Sequence, residues 1–207
     1  MSGLKWLEAE KKLFRDGQTF NPHRLEWIAD AEASVSTAVD VSATEALVKL
    51  SGTLRKVPVG IIGPREATEA QCALAEKLGA AFARHGLQLV CGGKNGVMEA
   101  ACKGHAEFGG MPVGILPDEE WQAANPYVAI PIATGIGPAR NALIARACVA
   151  LVAVGGGVGT LSEMALGLQF NRLVLAMHDA PEVKGVDRYD NIDDVLERVA
   201  LRLFTGK

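Results

Sequence analysis

Ala150-Leu151-Val152-Ala153-Val154-Gly155-Gly156-Gly157-Val158-Gly159-Thr160 is the stretch whose reading decides the fold. Five consecutive apolar residues describe a strand buried on both faces, which is the situation of a parallel sheet covered by helices. Glycine then fills four of the next five positions. Such a turn can take positive φ and lets a ligand approach the backbone without a Cβ in the way. From Thr160 to Phe170 the apolar spacing becomes helical. The first N–H groups of such a helix are unpaired and carry partial positive charge, so a phosphate satisfies both. A tight strand–helix connection alone needs one glycine, not four.

The same rhythm runs backwards and forwards from this point. Short apolar runs at Val57 to Gly63, Leu87 to Cys91, Pro112 to Leu116, Val128 to Ile132 and Leu173 to Met177 predict further strands. Helical spacing is predicted over Thr68 to His85, Asn95 to Phe108, Pro138 to Cys148 and Asn191 to Phe204. Alternating strands and helices predict an α/β fold: a doubly wound, mostly parallel, Rossmann-like sheet with helices on both faces. Ligands of such sheets lie beyond the carboxyl ends of the strands. Three of those ends carry glycine, at Gly63, Gly92-Gly93 and Gly155 to Gly159.

Residues 1–55 read differently, with many charges, few glycines and two of the three tryptophans, Trp6 and Trp27. Leu4, Leu7 and Leu13 are read as one helical stripe, Asp16-Gly17 as a turn, and Ala43 to Leu54 as a short amphipathic helix. The expected organisation is an N-terminal extension, 1–55, packed on a main domain, 56–207.

Composition narrows the function. Of 207 residues, 49% are apolar and 22% charged, enough for a substantial core. The net charge is -3 with no polybasic run, so nucleic acid is not an expected partner. No apolar run reaches roughly 18 residues, and no signal peptide is visible at Met1-Ser2-Gly3, so neither a membrane span nor export is expected. Cys72, Cys91, Cys102 and Cys148 lie in apolar stretches without C-x-x-C spacing, which reads as reduced core cysteines of a cytoplasmic protein. His23, His85, His105 and His178 have no metal-ligand spacing, and no metal is expected; His178, following a strand, is a candidate to line the cleft.

The candidate site is built around the glycine turn. Gly155, Gly156, Gly157, Val158, Gly159 and Thr160 form the expected phosphate cradle. A dinucleotide fingerprint does not fit: Thr160 and Ser162 fall where its last glycine belongs, and the turn follows a late strand, although Asp179 lies about twenty residues on. No G-x-x-x-x-G-K-[ST] exists, which excludes a P-loop. Thr160 and Glu163 have two readings: a capping box at the helix start, or a carboxylate held beside the ligand. Arg140 follows Pro138, a residue suited to the first helical position. Arginine there opposes the helix dipole at about 0.3–1 kcal/mol, a cost a bound anion would remove. Gly92, Gly93, Lys94, Asn95 and Gly96 read as a second cradle, with Asn95 as an N-cap and Glu99 one turn on. Gly63-Pro64-Arg65-Glu66, with one glycine, is the weakest of the three turns.

Taken together these stretches resemble the LOG-like family, often mislabelled as lysine decarboxylases. The hallmark P-G-G-x-G-T-x-x-E is matched from Gly156 to Glu163, with Gly155 in place of the proline. The family's upstream arginine matches Arg140, its G-G-x-x-G-[LV]-M stretch matches Gly92 to Met98, and its G-x-x-x-G-I-[IL]-P stretch matches Gly110 to Pro117. The resemblance spans roughly residues 57–180. It implies one of two activities. Some members are phosphoribohydrolases that cleave the N-glycosidic bond of nucleoside 5′-monophosphates, and others carry the molybdenum cofactor. Besides the lost proline, Asn141 follows the arginine instead of lysine, and the first loop lacks a glycine–serine turn. The Thr134 to Asn141 stretch looks closer to the divergent T-G-x-x-x-A-R-N branch, which includes the carriers. For the enzyme, the resemblance implies Arg140 and Glu163 as catalytic residues and no required cofactor. The implied ligand is AMP-like or the molybdenum cofactor, and the implied assembly a homodimer or higher homo-oligomer.

Overall fold

The structure, a computed structural model, describes residues 3–30 and 37–206. Its centre is a seven-stranded sheet, every neighbouring pair parallel. The chain enters it at β6 (Pro58–Ile62) and continues through α2 (Glu69–Arg84), β7 (Gln88–Cys91), α3 (Val97–Glu107) and β8 (Val113–Leu116) to β9 (Ile130–Ala133). It then passes through α4 (Asn141–Ala147), β10 (Ala150–Val154), α5 (Val158–Gln169), β11 (Leu173–Met177) and β12 (Asp187–Tyr189) to α6 (Ile192–Thr205). The strand order is β12-β11-β10-β6-β7-β8-β9.

The order has a functional consequence. From β6 the chain winds outward to β9, then returns to lay β10 on the other side of β6. The loops after β6 and β10 therefore leave adjacent strands in opposite directions and open a crevice between them. This is the switch point at which open α/β sheets bind ligands.

Alternate side chains of the strands feed two separate cores. Ile61, Val152 and Leu175 pack with α2, α3 and α6, through residues such as Phe82, Ala101 and Phe204. Ile62, Leu151 and Ala153 pack with α4 and α5, through Ile144 and Met164. All five residues of β10 are buried, as the uninterrupted apolar run requires.

The N-terminal segment is not helical at Leu4, Leu7 and Leu13. It forms a five-stranded antiparallel sheet of β1 (Lys5–Leu7), β2 (Lys12–Arg15), β3 (Gln18–Asn21), β4 (Glu26–Ala29) and β5 (Val39–Asp40), ordered β4-β3-β2-β1-β5. The physical reason is local. Asp16 and Gly17 both take positive φ, 49° and 72°, which makes the two-residue hairpin turn that pairs Arg15 with Gln18. That geometry ends any helix through Leu13. The following α1 (Ala43–Leu50) stops four residues short of the predicted end.

This layer is bound into the same core as the parallel sheet. Leu4, Trp6, Leu13 and Phe20 share contacts with Leu47, Leu196 and Phe204. The Trp27 indole N–H donates to the Phe204 carbonyl at 2.6 Å, and Phe20 meets the Phe204 ring edge-on at 5.0 Å. Glu197 of α6 accepts from the Thr44 backbone N–H and hydroxyl at 2.9 and 2.6 Å, capping α1 from another helix. Among the described residues, no helix is long and apolar enough to cross a membrane.

Candidate functional site

A cleft of about 360 Å³ opens at the switch point, lined by Gly63, Pro64 and Arg65 from the β6 loop and by Gly157, Gly159, Thr160 and Glu163 from α5. Met98 of α3, Pro117, and Pro138 to Asn141 complete it, apart from Ala139.

The four glycines of the β10–α5 turn divide into two kinds. Gly155 and Gly156 are required by the fold: they take φ of +60° and +147°, and a Cβ would meet Gln71 and Thr160 respectively. Gly157 and Gly159 face open space. Nothing inside the protein crowds a side chain there, and both glycines line the cleft. Helix α5 begins at Val158, with Gly157 as an N-cap that offers no side-chain hydrogen bond. No hydrogen bond among the described residues engages the N–H groups of Val158, Gly159 or Thr160, while Leu161 N–H already reaches the Gly157 carbonyl at 2.9 Å. Three free donors and the positive end of a twelve-residue helix thus point at one spot.

This start excludes the capping-box reading of Thr160 and Glu163. The helix begins two residues before Thr160, so Thr160 is not its N-cap and no side chain caps this end. Glu163 instead turns to Arg140, whose Nη1 donates to its Oε1 at 3.2 Å. Both side chains are almost wholly buried, with 7% and 8% exposure.

Arg140 is held from several sides. A short helical turn, Gly137–Arg140, delivers it, with Pro138 in the first turn as its fixed φ favours. That turn hangs from the loop after β8 through Thr134 Oγ1 to the Leu116 carbonyl at 2.7 Å and Gly137 N–H to the Pro117 carbonyl at 3.0 Å. Nη2 reaches the Gly92 carbonyl at 3.4 Å, and a Cβ at Gly92 would collide with the guanidinium. Nη1 also donates to Asn141, whose own amide donates to Ser162 Oγ at 3.0 Å. Asn141 therefore ties the arginine to the first turns of α5. The arginine Nε is buried with no acceptor.

Burial dominates the electrostatics. It pushes the Glu163 carboxyl up to about 7, against the attraction of Arg140. It also pulls the Arg140 guanidinium down from its ordinary value, against Glu163. Desolvation of two buried ions outweighs their attraction. The group that yields is the carboxyl, because a guanidinium does not deprotonate in proteins.

The remaining sequence-derived residues are placed as follows. Val158 is 86% exposed at the rim, and Thr160 is buried against Gly156. Residues 92–96 are not among those that line the cleft. Gly92 serves as the floor under Arg140, and Gly93 packs against Gly114 and Leu116. Lys94 pairs with Asp118 at 3.0 Å and donates to the Ala123 carbonyl at 2.7 Å, bracing two loops. Asn95 is exposed, and the residue before α3 is Gly96, whose missing Cβ makes room for the carbonyls of Pro64 and Arg65. Glu99 is half-buried outside the lining. His178 also stays outside it, and Asp179 accepts from Gln71 at 2.9 Å. Arg65 does reach the cleft, although its loop read as the weakest of the three. The signal was there: it is the first charged residue after the strand beside the switch point. Among the described residues, no group of histidines, cysteines and carboxylates could hold a metal ion.

Comparison with known proteins agrees with this fold. A cytokinin riboside 5′-monophosphate phosphoribohydrolase of Rhodococcoides fascians is 34% identical over 119 residues, 52% of this chain and 56% of that protein. The molybdenum cofactor binding protein of Rippkaea orientalis is 31% identical with a TM-score of 0.66, covering 71% of this chain and 97% of its own. The molybdenum cofactor carrier protein of Chlamydomonas reinhardtii is 32% identical with a TM-score of 0.65, covering 74% and 100%. The model of the SLOG cluster4 family matches residues 56–199, from the first parallel strand into α6, and the chain belongs to that LOG-like family.

Proposed function

We propose that the cleft binds a phosphate-bearing small molecule and that the protein cleaves the N-glycosidic bond of a nucleoside 5′-monophosphate. The observation that carries this reading is the buried Arg140–Glu163 pair beside the free N–H groups of α5. The 5′-phosphate sits on the N–H groups of Val158, Gly159 and Thr160. Arg140 fixes the Glu163 carboxylate and balances its charge. A carboxyl near pH 7 is matched to proton transfer at neutral pH. As a carboxylate it stabilises the developing positive charge on the ribose and takes a proton from the attacking water. The C1′–N bond breaks, the water oxygen adds to C1′, and the proton that Glu163 took from the water passes to the leaving base, giving ribose 5-phosphate and free base. Incubation with AMP, CMP, IMP and a cytokinin ribotide, followed by chromatography for free base, tests this. Release by the wild type and its loss in Glu163→Gln support the reading; no release from any of them at high enzyme concentration overturns it.

A second reading is a carrier of the molybdenum cofactor. It is favoured by the two molybdenum cofactor proteins, which match over essentially their whole length. The phosphate cradle would hold the pterin phosphate, and Glu163 would do no chemistry. Titratable binding of the cofactor that survives Glu163→Gln, with no nucleotide turnover, selects this reading. Self-association fits either. Ile136, Leu143, Val158 and Leu161, exposed on the segments around the cleft, offer an apolar rim for a second copy, which light scattering on a sizing column tests.

A further inference from the structure

The cleft holds a second guanidinium, and it is placed quite differently from the first. Arg140 is buried, matched by Glu163 and fixed over Gly92. Arg65 is exposed, and among the described residues no hydrogen bond or salt bridge engages its side chain. Its charge still bears on the site, because it acts on Arg140 and on Asp118.

Its mount is rigid. The Val97 N–H donates to the Pro64 carbonyl at 3.2 Å. Gly63 has no room for a Cβ against Val97 and the Val154 carbonyl, and Gly96 fits under the carbonyls of Pro64 and Arg65. The backbone of Arg65 is thus held between the end of β10 and the start of α3, while its side chain is left uncommitted at the cleft.

The charges of the lining side chains are Arg65, Arg140 and Glu163. The last two offset each other. The remaining positive charge is Arg65, together with the partial charge at the start of α5. Arg140 is nine-tenths buried in the lining. Its Nη1 is committed to Glu163, so Arg65 is the surplus cation of the cleft.

We propose that Arg65 is the specificity-determining residue of this cleft: it closes on the ligand's phosphate from the β6 loop while the α5 N–H groups hold it from the other side, selecting doubly charged phosphate monoesters over singly charged or neutral relatives. This rests on the reading that the cleft binds a phosphate-bearing ligand. A guanidinium suits the task, since its planar fork meets two phosphate oxygens at once.

Calorimetric titration of the full chain at pH 8 tests it, with inorganic phosphate, AMP, cyclic AMP and adenosine as probes. The variants are Arg65→Gln and Arg65→Lys, and because Arg65 is exposed both should keep the wild-type melting temperature. Wild type should prefer AMP to cyclic AMP. Arg65→Gln should weaken AMP and phosphate by about tenfold or more, while cyclic AMP changes far less. Arg65→Lys should recover part of the loss, since it restores charge but not the fork. Phosphate or AMP binding that is strong in wild type and unchanged in Arg65→Gln overturns the role of Arg65 and leaves the phosphate cleft standing. A wild type that binds none of the four probes overturns both.

Discussion

Nη1 of Arg140 lies 3.2 Å from Oε1 of Glu163, between residues twenty-three positions apart on two different helical segments. Each side chain would be an isolated buried charge without the other. Arg140→Ala should therefore destabilise the protein by about 3–5 kcal/mol at pH 8 in urea denaturation. The loss should shrink at pH 5, where Glu163 is protonated. The double variant Arg140→Ala/Glu163→Gln should recover part of it. An equal loss at both pH values would contradict the role of the charge.

The titration of Glu163 should be visible in stability. Its carboxyl moves from an ordinary 4.5 up to about 7 on folding, so the folded state holds the proton more tightly than the unfolded chain. The stability this gives is fully present below 4.5 and is lost as pH rises through 7. Wild type should accordingly lose stability relative to Glu163→Gln between those values, by on the order of 3 kcal/mol. Parallel stability curves for the two proteins across that range would refute it.

Anion binding should couple to the same proton. Once Glu163 is neutral, Arg140 is uncompensated and the cleft gains a positive charge. Sulfate remains a dianion from pH 6 to 8, so it separates this effect from titration of the ligand. Thermal stabilisation by sulfate should saturate at several-fold lower concentration at pH 6 than at pH 8. The reverse order would show that Glu163 does not communicate with the anion.

The two kinds of glycine should separate under substitution. Gly159→Ala meets open space on α5 and should stabilise the fold by up to about 1 kcal/mol through helix propensity. It should nonetheless weaken phosphate binding, because the methyl group enters the cleft. Gly155→Ala should destabilise, since its φ is +60° and Gln71 occupies the space. Melting temperature and phosphate titration on the two variants check both arms.

Removing the cap on α1 tests the N-terminal layer. Glu197→Ala leaves the N–H groups of Ala43 and Thr44 without their acceptor and should cost about 1 kcal/mol. Hydrogen exchange should accelerate first in α1, not in the parallel sheet. Uniform acceleration would mean that α6 itself had loosened.

How far the sequence carried the structure depends on how far apart the deciding contacts lie. β10 and β11 were legible because strands buried on both faces are apolar without interruption. The N-terminal strands are two to four residues long, too short for alternation to show, and Leu13 and Phe14 are buried side by side. Asp16-Gly17, with Leu13-Phe14 before it and Phe20 after it, was the available hairpin signal. Thr160 and Glu163 matched a capping box in spacing, but the earlier turn at Gly155 and Gly156 started the helix at Val158, so Thr160 is not its N-cap. Arg140 and Glu163 could be singled out separately, whereas their pairing depends on α4 packing beside α5. Lys94 looked like a ligand group because its partner, Asp118, lies on another loop.

Met98 on one wall of the cleft belongs to the core beneath α2 and α3, while the segment that brings Arg140 and Glu163 packs through Ile144 and Met164 into the core on the opposite face of the sheet. The strands of the parallel sheet lie between these two layers. A ligand that touches both walls acts as a rivet through the sheet. Occupancy of this small cleft then reports on the mechanical unity of the whole parallel domain, and slowed exchange should appear on both faces at once.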